Sequence, residues 1–498
     1  MKVSDEAPRR GPLDSTTSGF SAVSSNSRRS NLVSGSLVSL QQGAKFMWRK
    51  KWLIPVLHSQ FWFSACFSLM APFFPNLAQK RGIRQTTCGF IFSVFKLFMF
   101  IGSFSSEKLI DRFGPVPLYV AGLVGTFIFD VSIGSLYWVG DPDIFLGLAF
   151  PLAIAGGFLA CSYSVSMYSM VTERFSEKPG LIIASMEFLW GIGNMVGTMA
   201  GGFLIEFWGF PFPFFALGVI MILLIPTIIR NGPLQPSKSM RDPIEEHSEL
   251  KFRPRNSIAS LGRQSGVSVM SSISSQPDQP VRYKYMILQP LFIIDMITVM
   301  FSWIVMSFNE PTLQTWLSGQ FRLTDSGIGI VFCVQYACYA SGALLSGFVS
   351  SFGHEEFLLF LGQVCTALAY LLIGPVPFIN HEPSMSFIYL SQIFTGFGMA
   401  AQFVCGFAHA LKISIKAGYP KNIKTSGVVA SATFVFMVLG AIVTPPIASF
   451  VVEEFGYRQG TMFIFCPLAA WSVVNFGVFI YGLKDLVSRS PDSDEAFA

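Results

Sequence analysis

Long apolar runs alternate with short polar breaks twelve times along this chain. They cover roughly residues 53–75, 86–106, 115–138, 144–171, 181–205, 212–229, 287–318, 326–350, 357–374, 385–411, 426–451 and 461–483. A helix rises about 1.5 Å per residue, so about 20 apolar residues cross a hydrocarbon core of about 30 Å. The pattern predicts an all-α membrane protein with twelve transmembrane helices in two six-helix bundles. It divides the chain into a disordered tail (1–46), an N-terminal bundle (47–229), a disordered loop (230–285), a C-terminal bundle (286–484) and a short tail (485–498). The tail and the central loop are rich in Ser, Arg, Pro and Gly and nearly free of aromatic residues, so they bury too little to offset ordering.

Charge fixes the expected orientation. Of 34 Lys and Arg, 28 fall in the tails and in the loops after spans 2, 4, 6 and 10, against 5 in the remaining loops and one, Lys96, inside a span. The positive-inside rule then places both termini and the central loop in the cytoplasm. The first span is expected to act as its own insertion signal, because no short apolar segment with a cleavage site precedes it. The net charge of +5 follows this topology and gives no reason to expect nucleic acid. Arg28-Arg29-Ser30 and Arg253-Pro254-Arg255-Asn256-Ser257 read either as kinase sites or as solvated linkers whose charge is drawn to the membrane.

Enzyme chemistry finds no foothold: there is no Walker-type phosphate loop, no HExxH and no Gly-x-Ser-x-Gly. Cysteine spacing suggests no metal site and no disulfide, and no cofactor is expected. Charges within the spans are therefore the informative residues, since each costs about 2.5–3.5 kcal/mol at mid-membrane on insertion scales. They are Asp130, Glu187, Asp295, Glu310 and Lys96, with His58 and His409 as the span histidines. Lys96 and Asp130 lie at similar depth in neighbouring spans, so mutual neutralisation is the simplest expectation. Asp295, about two turns into span 7, is expected to reach the headgroup region. Glu187 precedes Gly193, Gly197 and Gly201, whose four-residue spacing lets helices approach closely and predicts a packing or sliding surface. Glu310 is followed by Pro311, which removes a backbone donor inside the span. A carboxylate beside freed carbonyls is a ready site for a cation, which a proton can replace. Trp190, Trp303, Trp316 and Tyr336 are candidates for cation–π contact with an amine, or for packing.

Six spans, a loop and six more spans resemble the major facilitator superfamily. Asn309-Glu310-Pro311-Thr312-Leu313 with Trp316 resembles the seventh-span signature of its vesicular amine transporters. Pro72-Phe73-Phe74-Pro75, Lys80-Arg81-Gly82, Ser185-Met186-Glu187, Gly201-Gly202-Phe203-Leu204 and Gly374-Pro375-Val376-Pro377 resemble the vesicular polyamine transporter branch. The resemblance implies a proton-coupled antiporter of organic cations such as polyamines, in a secretory or synaptic vesicle membrane. It implies substrate or proton binding by Glu310, Glu187, Asn309 and Trp316, and gating by Asp111, Arg112 and Gly114. Departures are specific. Glu107 and Thr198 stand where the superfamily usually has Gly and Pro, span 4 carries no charge, and spans 1, 10 and 11 lack the acids of the monoamine branch. Two alternatives follow from these departures: a facilitator of another small solute, or a transport-incompetent sensor or scaffold.

Overall fold

Among the described residues, twelve helices long and apolar enough to cross a membrane form where the apolar runs predict them. The computed structural model describes residues 53–174, 179–231, 284–350, 353–379, 381–420 and 423–488. The tail 1–46, nearly all of the loop 230–285 and the end of the chain lie outside these, as do both serine motifs. The contacts below all fall within residues 55–498, one compact unit. Odd-numbered spans begin at one face, called here the near face, and end at the far face.

Proline marks where spans depart from single helices. Span 1 is split into Leu53–Phe67 and Met70–Lys80, and span 6 into Pro211–Ile222 and Ile225–Asn231. Pro72 and Pro226 cannot donate to the carbonyl four residues back, Ser68 and Ile222, and their rings crowd it. Pro311 behaves differently. Span 7 runs unbroken over Pro290–Phe321, and the Thr312 hydroxyl donates to the Phe308 carbonyl at 2.5 Å. The last helix, Tyr457–Ser488, continues past Lys484, where the sequence suggested that the polar tail begins.

Helix packing repeats with a shift of six. Spans 2 and 4, 3 and 4, and 3 and 6 pack together in the first half; spans 8 and 10, 9 and 10, and 9 and 12 do so in the second. Between the halves, span 5 meets span 8 and span 2 meets span 11. Large apolar residues such as Phe104, Ile128, Phe203, Val443 and Phe463 remain on the outside, where a bilayer would cover them. The stripe Gly193, Gly197 and Gly201 packs against span 1 of its own half, at Ser64, Ala65 and Leu69. The seam with span 8 uses the adjacent glycines instead: Gly191 faces Ala340 and Gly202 faces Ser326. Helical periodicity puts these two sets on different faces of one helix, so the stripe is packing and its neighbours form the seam.

Candidate functional site

Lys96 and Glu310 meet where the two halves meet. Lys96 sits in the second span (Gln85–Phe113) and Glu310 in the seventh, and both are 3% exposed. The ammonium contacts both Glu310 carboxylate oxygens at 2.6 Å and donates to Ser307 Oγ at 3.0 Å. The Trp303 ring lies 5.9 Å from the same nitrogen. This overturns the expected Lys96–Asp130 pair. Depth alone suggested that pairing, whereas Glu310 offers two oxygens and its own helix adds the Ser307 hydroxyl. Asp130 shares the cavity lining with the Cys66 thiol, and its Oδ2 accepts no hydrogen bond from the described residues.

The pair closes a small cavity. About 30 Å³ in volume, it is lined by spans 1, 2, 3, 4, 7 and 8, chiefly by Phe63, Phe67, Phe95, Phe129 and Tyr336 around Lys96, Glu310 and Asp130. That volume admits a water or two, whereas ligand sites usually run to about 300–1,000 Å³. The conformation is therefore closed around its charges. Span 3 contributes Thr126, Phe129 and Asp130 to this lining, whereas span 10 reaches only a smaller neighbouring cavity, through Met399 and Phe403. Trp190, Trp303 and Tyr336 also line that second cavity.

Two sequence candidates sit elsewhere. Asn309 turns into the second half, where its Oδ1 accepts from Tyr370 at 3.1 Å. Adjacent helical residues point about 100° apart, so a neighbour of Glu310 cannot share its aim. Trp316 stacks on Tyr457 at 4.2 Å and lines neither cavity. Glu187 does cross the seam. It accepts hydrogen bonds from Tyr168 of its own half and from Tyr339 of span 8, each at 3.1 Å.

At the far face the halves are tied by polar contacts that the sequence did not reveal. Glu453, in span 11, pairs with Arg84 at 2.8 Å and accepts from the Thr86 amide at 2.9 Å. Gln314 accepts from the Asn76 amide at 2.8 Å, and the Gln85 amide donates to the Pro311 carbonyl at 3.1 Å. At the near face Asp111 and Arg112 are exposed, and neither forms an ion pair among the described residues. Arg112 instead lies over the Phe113 ring at 5.3 Å. Gly114 ends that helix at φ +84°, where a side chain would be strained, and its amide donates to the Ile110 carbonyl.

A second buried charge cluster lies wholly in the C-terminal half. Asp295 is 1% exposed, so it does not reach the headgroup region as expected. The bundle brings His409 of span 10 to it at 2.9 Å, and the other ring nitrogen of His409 lies 3.2 Å from Glu356 of span 9. Lys412 and Glu355 extend the cluster at 2.6 Å. Among the described residues, no group of His, Cys, Asp and Glu is arranged to hold a metal.

Comparison with known proteins matches this architecture. The family model described as Major Facilitator Superfamily matches residues 56–308 and 296–496. A human protein named MFS-type transporter SLC18B1 is 24% identical over 398 residues, covering 79% of this chain and 78% of its own. The Arabidopsis thaliana protein ZINC INDUCED FACILITATOR-LIKE 1 is 26% identical over 216 residues, covering 37% of this chain and 43% of its own. A POT family transporter crystallised with a thioalcohol-conjugated peptide superposes with a TM-score of 0.60 at 12% identity, covering 87% of this chain and 96% of that one. The family match extends through both halves and the superposition through nearly the whole fold: the chain belongs to the Major Facilitator Superfamily and is a secondary transporter, not an enzyme.

Proposed function

We propose that this transporter exchanges protons for small organic cations of the polyamine type, with Glu310 as the carboxylate that takes the amine. One observation carries the reading: a buried carboxylate at the seam of the halves is held by a built-in ammonium, Lys96, among aromatic rings. A site that binds its own alkylammonium has the chemistry to bind another, with ring faces to stabilise the cation. The seventh-span resemblance to vesicular amine transporters points to the same residue.

The geometry suggests how access alternates. In the closed form the far face is held by Glu453 and Gln314 and the near side by the Glu187–Tyr339 contact. Opening toward the near face breaks the Glu187 bridge, and Lys96 and Glu310 separate when the halves rock apart. The near face is cytoplasmic in this reading, in line with the charge distribution, so loading at the near face and release at the far face would fill an acidic vesicle. Asp111 and Arg112 would engage the opposite half only when the near face shuts tightly.

The test is reconstitution into liposomes with an acidic interior, assaying spermidine, spermine, monoamines and acetylcholine in parallel. Accumulation of a polyamine that collapses when a protonophore dissipates the gradient supports the proposal. Uptake indifferent to the gradient, or of none of these cations, points to a facilitator of another solute.

A further inference from the structure

Resting on the organic-cation reading of the Lys96–Glu310 site, we propose that Asp130 carries the exchanged proton and that Lys96 is the mobile link between proton and substrate. The starting observation is a carboxylate without an adequate partner. Asp130 is 3% exposed and lines the same cavity as Lys96 and Glu310. Its neighbours in the lining include the weakly polar Cys66 thiol, and one of its oxygens accepts nothing from the described residues. An ionised carboxylate buried in this way is costly, whereas the neutral acid is not.

The surroundings leave one way to change that state. Facing Asp130 across the cavity are Cys66 from span 1, Lys96 from span 2, Glu310 from span 7 and Tyr336 from span 8; from span 6 the backbone at Gly218 approaches it. Lys96 is the cation in this set, and its ammonium hydrogens go to Glu310 and Ser307. Asp130 and Glu310 therefore compete for one ammonium. A lysine has a four-carbon flexible stem, and both carboxylates line one small space, so a swing between them needs no backbone rearrangement.

Charge balance then dictates the exchange. In the closed form the site holds Lys96 as ammonium, Glu310 as carboxylate and Asp130 as neutral acid, with no net charge. When a substrate ammonium takes Glu310, Lys96 is released and moves to Asp130. The Asp130 O–H bond breaks, its proton leaves to water in the opened cavity, and the carboxylate pairs with Lys96. The site again has no net charge, with one proton lost for one substrate ammonium gained. Reversal on the acidic side protonates Asp130, returns Lys96 to Glu310 and expels the substrate. Without the lysine the two events lose their connection.

Infrared difference spectroscopy on the full chain in nanodiscs tests this, with proton release read by a pH indicator in weak buffer. The ligand-free parent should show the carbonyl stretch of a buried carboxylic acid, absent in Asp130→Asn. Spermidine should bleach that band and release one proton per bound molecule. In Lys96→Met, spermidine should bind while the band persists. A band that survives in Asp130→Asn, or that persists in the parent saturated with spermidine, overturns the proposal. If no organic cation binds the parent, the substrate reading fails, and Glu310→Gln decides the exchange without ligand. The freed Lys96 should then move to Asp130 and abolish the band, and its persistence overturns the exchange.

Discussion

Among the described residues, two buried charge clusters stand out, and their positions give them different work. Lys96 and Glu310 join span 2 to span 7, one from each half. Asp295, His409 and Glu356 join spans 7, 10 and 9 of a single half. A contact across the seam must break whenever the halves move, so its energy enters the transport cycle. A contact inside one half moves with that half and contributes to its rigidity alone. Burial and charge do not separate the two cases; the partner's address does.

The largest expected effect tests that distinction directly. Glu310→Gln keeps the size of the side chain but removes its charge, and spermidine accumulation should fall by more than tenfold in proteoliposomes with expression preserved. Glu310→Asp should retain part of the activity. Asp295→Asn should do the reverse, lowering yield and melting temperature while leaving transport per folded molecule close to that of the parent. Equal losses of transport per molecule in both variants would erase the difference between the clusters.

A double-mutant cycle sharpens the seam contact. Removing one partner of a buried pair costs about 3–5 kcal/mol, because the other charge is left uncompensated. Lys96→Met should lower the melting temperature most, Glu310→Gln less because Lys96 can then turn to Asp130, and the double variant should recover much of the Lys96→Met loss. Asp130→Asn should not rescue Lys96→Met in the same way. A rescue by Asp130→Asn equal to that by Glu310→Gln would move the pairing back to Asp130.

Smaller effects should come from the gates. Asp111→Asn should slow turnover severalfold while leaving spermidine affinity unchanged, measured by initial rates and equilibrium binding. Glu453→Gln loosens the far face by removing the charge that pairs with Arg84 and one of the two oxygens that accept from Arg84 and Thr86. Its stability should barely change, since exposed ion pairs contribute little. A cysteine probe introduced near Gln85 should label faster from the far side, and unchanged labelling would show that apolar packing alone closes that face.

The amino-acid sequence by itself determined the twelve spans, the two halves and the short set of buried charges from which the site is built. Span length and apolar content are local properties imposed by bilayer thickness, and each intramembrane charge is conspicuous because it is costly there. Partnership was not local. Lys96 and Asp130 are 34 positions apart in neighbouring spans, whereas Lys96 and Glu310 are 214 apart and meet only when the halves assemble. Glu453 lies just past the apolar run of span 11, where its charge is unremarkable until span 11 is packed against span 2. Helix rotation was equally invisible: one residue's difference turns Asn309 to Tyr370 and Glu310 to Lys96. A low-dielectric interior makes charges rare enough to count from the sequence, but only the packing of the two halves decides which charge answers which.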